Sequence, residues 1–341
     1  MTIPDTPLPT RPIAGTPVST ISLGCMNVSH AYDVTPSEAD AARLLNHALD
    51  IGVTHLDSAA LYGGGNNERL IAGAVGHRRD NFFLSSKCVL DQIDGERVLD
   101  GRPETIAGSL ERSLGRLGTD HIDLYYLHRL DRKVPVEDSI GALVRAKEAG
   151  KIGAIGVSEM SAETIRRAHA VHPLAAVQSE YSPWVRNPEV AVLEACRELG
   201  IAFVAFSPLA RGFLTGTIRT NDFAPGDIRI PMPRFKEPNF THNLGLAARF
   251  EAVAAQAGIT PAQLSLAWVL ARAPNIIAIP GTRSIAHLEE NVGAATIALS
   301  PETIAQVDAI FAPGAVAGHR YPPAVQTQID TELLPEETEQ A

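Results

Sequence analysis

The chain has 341 residues, 45% of them hydrophobic and 20% charged, with a formal net charge of −10. This is ordinary globular composition, and the acidic balance, with no basic run, speaks against partners such as nucleic acid or an anionic membrane. No apolar stretch approaches the roughly 20 residues that span a bilayer, no signal-peptide pattern opens the chain, and the three cysteines (Cys25, Cys88 and Cys196) suit a reducing cytoplasm better than a disulfide scaffold.

Residues 1–17 carry Pro4, Pro7, Pro9, Pro12 and Pro17 and read as an extended, loosely held arm. A rhythm follows. Short apolar runs at 21–24, 54–59, 82–87, 122–128, 152–158, 175–178, 202–207 and 276–280 read as buried parallel strands. The segments between them start like helices. Ser37-Glu38 precedes an apolar series, and Pro103-Glu104 and Val136-Glu137 open the next two. Ser161 starts another, and Thr260-Pro261 with Gln263 gives a capping-box pattern. Eight strand–helix units in an α/β chain predict one (β/α)8 TIM barrel, a single domain over residues 18–317. The Gly- and Pro-rich stretch 211–240 reads as a long functional loop and 301–311 as an added helix. Residues 318–341, with Asp330, Glu332, Glu336, Glu337 and Glu339, read as a frayed acidic tail.

In such a barrel the active site lies at the C-terminal ends of the strands. There the second strand delivers Asp57 and, just beyond it, Tyr62. The third ends at Lys87 and the fourth at His128. Reducing a carbonyl needs a hydride on carbon and a proton on oxygen. A phenol, with a pKa of ~10, is a reluctant acid; a neighbouring ammonium favours its ionised form. Tyr62 therefore reads as general acid, Lys87 as its tuner, Asp57 as the anchor of the lysine, and His128 as the group that orients the carbonyl oxygen. The hydride requires a cofactor, since no side chain supplies one. The remaining histidines show no metal-ligand spacing, so no metal is expected. Gly63-Gly64-Gly65 lacks the trailing residues of a phosphate loop and reads as a turn.

At these motifs the sequence resembles the aldo-keto reductase family, bacterial aldehyde and ketone reductases in particular. The resemblance is carried in order by Asp57-Ser58-Ala59 with Tyr62-Gly63, Ser86-Lys87, Ile122 to His128, Gly156-Val157-Ser158, Gln178 to Ser182, Ser207-Pro208-Leu209, and Ile279 to Arg283 with Glu290-Asn291. It implies an NAD(P)H-dependent, reversible reduction of an aldehyde or ketone to an alcohol, with the four residues above as catalytic tetrad. Ser158 and Gln178 match positions that bind the nicotinamide carboxamide. Phe206 stands where a tyrosine often stacks on the nicotinamide ring. Ser207, Leu209 and Arg211 match the pyrophosphate segment. Gly281, Thr282, Arg283 and His287 match the loop that takes the 2′-phosphate, and Glu290 and Asn291 match adenine contacts. Glu159 replaces the usual Asn, and His287 a common Arg. A neutral His is a weaker phosphate partner than a bidentate Arg, so NADP(H) is expected as preferred cofactor with appreciable NAD(H) use. Cys25, Met26, Tyr32 and Trp184 are candidates for the substrate pocket. An alternative reading is a regulatory cofactor-binding module like the potassium-channel β-subunits, which share fold and tetrad. Another is a Schiff-base aldolase acting through Lys87.

Overall fold

A computed structural model describes residues 7–32, 34–93 and 95–338. The chain begins with a hairpin, β1 (Thr10–Ile13) and β2 (Thr16–Ser19), turning through Ala14 and Gly15. Ile13 and Val18 are fully buried and pack on Phe83, Leu124, Ala154 and Ile277. The hairpin thus plugs the end of the barrel opposite the catalytic residues. The expected loose arm is therefore tied down at its end: Leu8 and Ile13 are buried while most of its other described residues stay exposed, and Ile13 with Val18 closes an otherwise open barrel end. Burying each contributes roughly 1.5–3 kcal/mol. Pro4 lies outside the described residues.

The barrel strands follow: β3 (Leu23–Gly24), β4 (His55–Asp57) and β5 (Phe83–Cys88). A second hairpin, β6 (Leu90–Ile93) and β7 (Glu96–Leu99), stands above β5 and was not legible as strand. Then come β8 (Ile122–Leu127), β9 (Ile152–Ser158), β10 (Ala176–Glu180), β11 (Ala202–Phe206) and β12 (Ile276–Ile279). All eight barrel strands are parallel, in the order β3-β4-β5-β8-β9-β10-β11-β12. The seam closes between the first and last: the Ala278 N–H donates to the Thr20 carbonyl at 2.9 Å and the Ser22 N–H to the Ala278 carbonyl at 2.9 Å. The (β/α)8 expectation holds.

Helices α1 (Glu38–Asp50), α2 (Asn66–Val75), α3 (Pro103–Leu117), α4 (Val136–Glu148), α5 (Ala162–Val171) and α6 (Val192–Leu199) follow successive strands. Ser37 and Ser161 cap their helices as the sequence suggests. After β11 come α7 (Asn239–Gln256) and α8 (Pro261–Ala271), the latter with the predicted capping box. The helix α7, next to the long loop, was not anticipated. Helices α9 (Ile285–Gly293) and α10 (Pro301–Ile310) complete the shell. No single helix among the described residues is long and apolar enough to cross a membrane.

The C-terminal segment differs most from expectation. Arg320, Tyr321, Ile329 and Thr331 are buried. Asp330 accepts hydrogen bonds from the Ser161 N–H (3.0 Å) and the Thr164 hydroxyl (2.7 Å), and Glu332 accepts from the Ala162 N–H (2.7 Å). These acids are not a solvated fringe; they neutralise the N-terminus of α5, where orphan N–H groups and the helix dipole favour negative charge. Glu339 lies outside the described residues.

Candidate active site

Strand β4 ends at Asp57, whose carboxylate enters a polar cluster. Three residues in a row, Gly63, Gly64 and Gly65, then take φ of 58°, 60° and 87°. Side chains other than glycine rarely adopt this conformation, and the tight turn it allows holds Tyr62 over the barrel mouth before α2 begins. On the far side, β9 passes close to β8. A Cβ at Gly156 would lie 2.4 Å from the Tyr126 ring, so only glycine fits there.

Asp57, Tyr62, Lys87 and His128 converge. Lys87 is fully buried and ion-paired with Asp57. Its ammonium also donates to the Ser58 carbonyl at 2.7 Å and the Tyr62 hydroxyl at 3.3 Å. Burial alone would lower the lysine's affinity for its proton. Asp57 and Tyr62 outweigh it, and the Lys87 pKa is raised. For Tyr62 the expected depression does not appear: burial pushes its pKa up, and the opposing pull of Lys87 does not cancel that. The phenol stays protonated at neutral pH. Its ring meets the His128 ring edge-on at 5.9 Å between centroids. Burial, helped by the nearby charges of Arg129, Lys87 and Arg97, holds the His128 pKa well below the usual imidazole value. His128 Nδ1 has no hydrogen-bond partner among the described residues. An orphaned acceptor is more readily tolerated than an orphaned donor, so the neutral ring carries its proton on Nε2.

Asp57 is held from below as well. Ser85 donates to its Oδ2 at 2.8 Å and the Gln178 amide at 2.9 Å. His55, fully buried, lies 2.9 Å from the Ser85 hydroxyl. Since Ser85 gives its only proton to Asp57, His55 donates from Nε2 and is neutral. Burial, with Lys87 adding to it, pushes the His55 pKa down to about 4. The unfolded chain therefore binds a proton here below about pH 6.5 that the folded chain refuses until about pH 4. Stability falls as pH drops through that window, by roughly 3 kcal/mol in all. In urea unfolding at pH 7 and pH 4.5, His55→Phe is expected to show a clearly smaller acid loss than the wild type; an equal loss would exclude this role.

A cleft of about 920 Å³ opens above these residues. Its walls include all twelve residues expected at a cofactor, from Ser158 and Gln178 through Phe206, Ser207, Leu209 and Arg211 to Gly281, Thr282, Arg283, His287, Glu290 and Asn291. Phe206 is the one residue of β11 that is not buried, and it presents its ring to the cleft. Ser207, Ala210 and Arg211, none of them glycine, have φ of 47°, 50° and 56°. Such strain, of order 1–3 kcal/mol per residue, persists mainly where it serves a site.

Other expected residues sit elsewhere or do something else. Cys25 and Trp184 do not line the cleft. Cys25 is fully buried with its thiol on the Leu23 carbonyl, and Trp184 packs on Phe213 at 4.4 Å between centroids. Both are core residues, drawn inward by apolar neighbours. Met26 and Tyr32 do line the cleft. Arg211 touches the cleft, but its guanidinium is paired with Glu180 at 3.0 Å and reaches Tyr321 at 3.1 Å. Arg283 donates to the backbone carbonyls of Tyr32 (3.1 Å) and Val34. Glu159 turns away from the cleft: its carboxylate accepts from the Glu180 N–H (2.7 Å), the Thr331 hydroxyl (2.8 Å) and Arg320 (3.3 Å). The sequence reading missed Arg97, Arg129 and Tyr321, which also line the cleft. Arg129 directly follows His128, a usable signal. Tyr321 was hidden by the acidic residues after it.

The aldo/keto reductase family profile matches residues 20–312. The chain is 44% identical over 338 residues to aldo-keto reductase yakc [NADP(+)] of Schizosaccharomyces pombe, covering 96% of this chain and 99% of that protein. Among solved structures it superposes on glycerol dehydrogenase AKR11B4 from Gluconobacter oxydans with a TM-score of 0.81 at 27% identity, covering 96% and 98% of the two chains. It also resembles the aldo-keto reductase from Klebsiella pneumoniae in complex with NADPH, with a TM-score of 0.71 at 26% identity, covering 93% and 99%.

Proposed function

The chain belongs to the aldo/keto reductase family, and from that premise we propose that it reduces an aldehyde or ketone to an alcohol, with Tyr62 as proton donor and NADP(H) in the cleft. NAD(P)H-dependent carbonyl reduction is the chemistry of the family, and two of the relatives named above, those from Schizosaccharomyces pombe and Klebsiella pneumoniae, are NADP-linked. Those names lend nothing to the channel-subunit alternative. The observation that supports the residue assignment is that Tyr62, which contacts Lys87, and His128 line a cleft shared with every residue the resemblance assigns to the cofactor. A Schiff-base role for Lys87 fits poorly, because that chemistry needs a neutral amine and Asp57 keeps this one charged.

NADPH, when bound, supplies the hydride that reduces the carbonyl carbon. The donor set fits its nicotinamide end: the Phe206 ring offers a stacking face, and the Ser158 hydroxyl and Gln178 amide offer hydrogen bonds to a carboxamide. Tyr62 and His128 together receive the carbonyl oxygen. His128 donates from Nε2 and polarises it, and Tyr62 gives its phenolic proton to the oxygen as charge develops there. Lys87 stabilises the phenolate left behind, and Asp57 holds Lys87 charged and in place. In the reverse direction Tyr62 takes the proton back.

The test is turnover of a carbonyl panel with NADPH and NADH side by side, using cofactor labelled with deuterium at both C4 positions. Deuterium on the product carbon is expected; turnover of no carbonyl, or an unlabelled product, overturns the reading. Arg283 and His287 are the residues assigned to the 2′-phosphate. Arg283→Ala is expected to weaken NADPH binding by about tenfold, the range of one charge-assisted contact, and NADH binding less. Equal losses for both cofactors, read by fluorescence titration, would mean that Arg283 serves only to hold the backbone of Tyr32 and Val34.

A further inference from the structure

The substrate end of the cleft is cationic although the chain as a whole is acidic. Arg129 and Arg97 both line it, next to His128. Arg129 is only 8% exposed. One of its terminal nitrogens donates to the His128 carbonyl at 2.6 Å and to the Ser158 hydroxyl at 3.3 Å. Its Nε has no partner, and no carboxylate pairs with it, among the described residues. The other two buried arginines are treated differently: Arg320 faces Glu159 at 3.3 Å and Arg234 approaches Glu337 at 3.9 Å. Arg97 reaches the cleft from β7, exposed and steadied by the Gln328 side chain at 2.9 Å. The neighbouring wall is apolar, formed by Met26, Leu61, Leu90 and Val325. Among the described residues two carboxylates line the cleft, and neither offsets Arg129: Asp57 is committed to Lys87, and Glu290 lies on α9 among the residues assigned to adenine.

A guanidinium buried without a counter-charge is costly to fold. Its planar fork suits a carboxylate or phosphate, which it can bind through two parallel hydrogen bonds. We propose that the carbonyl substrate carries an anionic group, a carboxylate or a phosphate, that seats against Arg129 with Arg97 at the rim. The anion would anchor the molecule beside His128 and so bring its carbonyl under Tyr62. This rests on the reading of Tyr62 and His128 as the carbonyl end of the cleft. Apolar contact with Met26, Leu61 and Leu90 would hold the carbon frame between the two polar ends.

The experiment compares kcat/KM for 4-carboxybenzaldehyde and 4-formylphenyl phosphate with that for the neutral methyl 4-formylbenzoate. It uses the wild type, Arg129→Gln and Arg97→Gln at fixed ionic strength, with NADPH affinity measured for each. The wild type is expected to favour at least one anion over the ester. Arg129→Gln is expected to reduce that preference by about 10- to 100-fold, the range for losing a charged hydrogen bond, mainly through KM. Arg97→Gln is expected to reduce it a few-fold, and more at low salt, because an exposed charge is screened. Which anion is preferred separates carboxylate from phosphate. A wild type that turns over the ester as well as both anions overturns the proposal, as does a preference unchanged in both variants. Arg97 is exposed, so that variant keeps the test open if Arg129→Gln does not fold. Turnover surviving in Tyr62→Phe would sink the underlying reading; Tyr62-dependent turnover with no anion preference would sink only this one.

Discussion

Tyr62→Phe is expected to lower kcat for carbonyl reduction by about 10²- to 10⁴-fold, the usual contribution of a positioned general acid, while NADPH affinity stays within about twofold. The ring and its edge-on contact with His128 survive the change, so what is removed is one hydroxyl and its 3.3 Å contact with Lys87. No other protonated group is in place to act. His128 is neutral and holds its proton too weakly to be regenerated as an imidazolium at neutral pH. Lys87 lies beneath Tyr62, fully buried and ion-paired. The raised Tyr62 pKa sets the pH behaviour. Reduction needs the phenol and is expected to persist up to and beyond pH ~10. Alcohol oxidation needs the phenolate and is expected to climb through the same range. A variant that kept wild-type kcat, or a reduction rate that fell away near pH 7 with this tyrosine's titration, would remove Tyr62 from the role.

The barrel was legible because its signals are local and repeated. Each strand is a short apolar run such as Ile152–Ser158, and several helix starts carry a side-chain cap, Ser161 and Thr260 among them. The tetrad was legible for a related reason: in a parallel barrel the strand ends converge, so Asp57, Lys87 and His128 could be placed together without knowing any distance. What was not legible depends on pairings distant in sequence. The acidic residues near the C-terminus read as solvated until Asp330 is seen 169 residues away from its partner Ser161. Ile13 reads as one apolar residue in a proline-rich arm until the barrel interior is there to receive it. Arg211 looked free to meet a phosphate because nothing in the chain around it shows that Glu180 faces it. The sign of the net shift on Tyr62 was missed for the same cause: sequence gives the neighbouring ammonium but not the depth of burial that outweighs it.

Those long-range pairings lead to the largest expected effect on stability. Glu159, Glu180 and Glu337 face Arg211, Arg234 and Arg320 in a buried, charge-balanced group that joins the C-terminal segment to the barrel. Glu180 is its hub: it pairs with Arg211 and accepts the Tyr321 hydroxyl proton in a hydrogen bond. Burial would raise its pKa, but Arg211, Arg320 and Tyr321 overcome that and hold it below the usual carboxylate value. The sign follows. A carboxylate whose native pKa is depressed contributes stability that is complete above its unfolded value of ~4.3 and is lost as pH falls through the native one. Glu180→Gln keeps the shape but leaves Arg211 buried without its charge, a change that typically destabilises by about 3–5 kcal/mol. Urea unfolding at pH 7 is expected to report a loss of that size. As pH falls below ~4.3 toward and through the depressed native pKa, the difference from wild type is expected to shrink, because a protonated Glu180 resembles the glutamine. NADPH affinity should fall too, since Arg211, which Glu180 holds, lines the cleft together with Ser207 and Leu209. A loss below about 1 kcal/mol that did not change with pH would mean that the hydrogen bonds of Tyr321, Thr331 and Arg320 hold the segment without Glu180. Cofactor affinity and stability would then be independent rather than linked through one buried carboxylate.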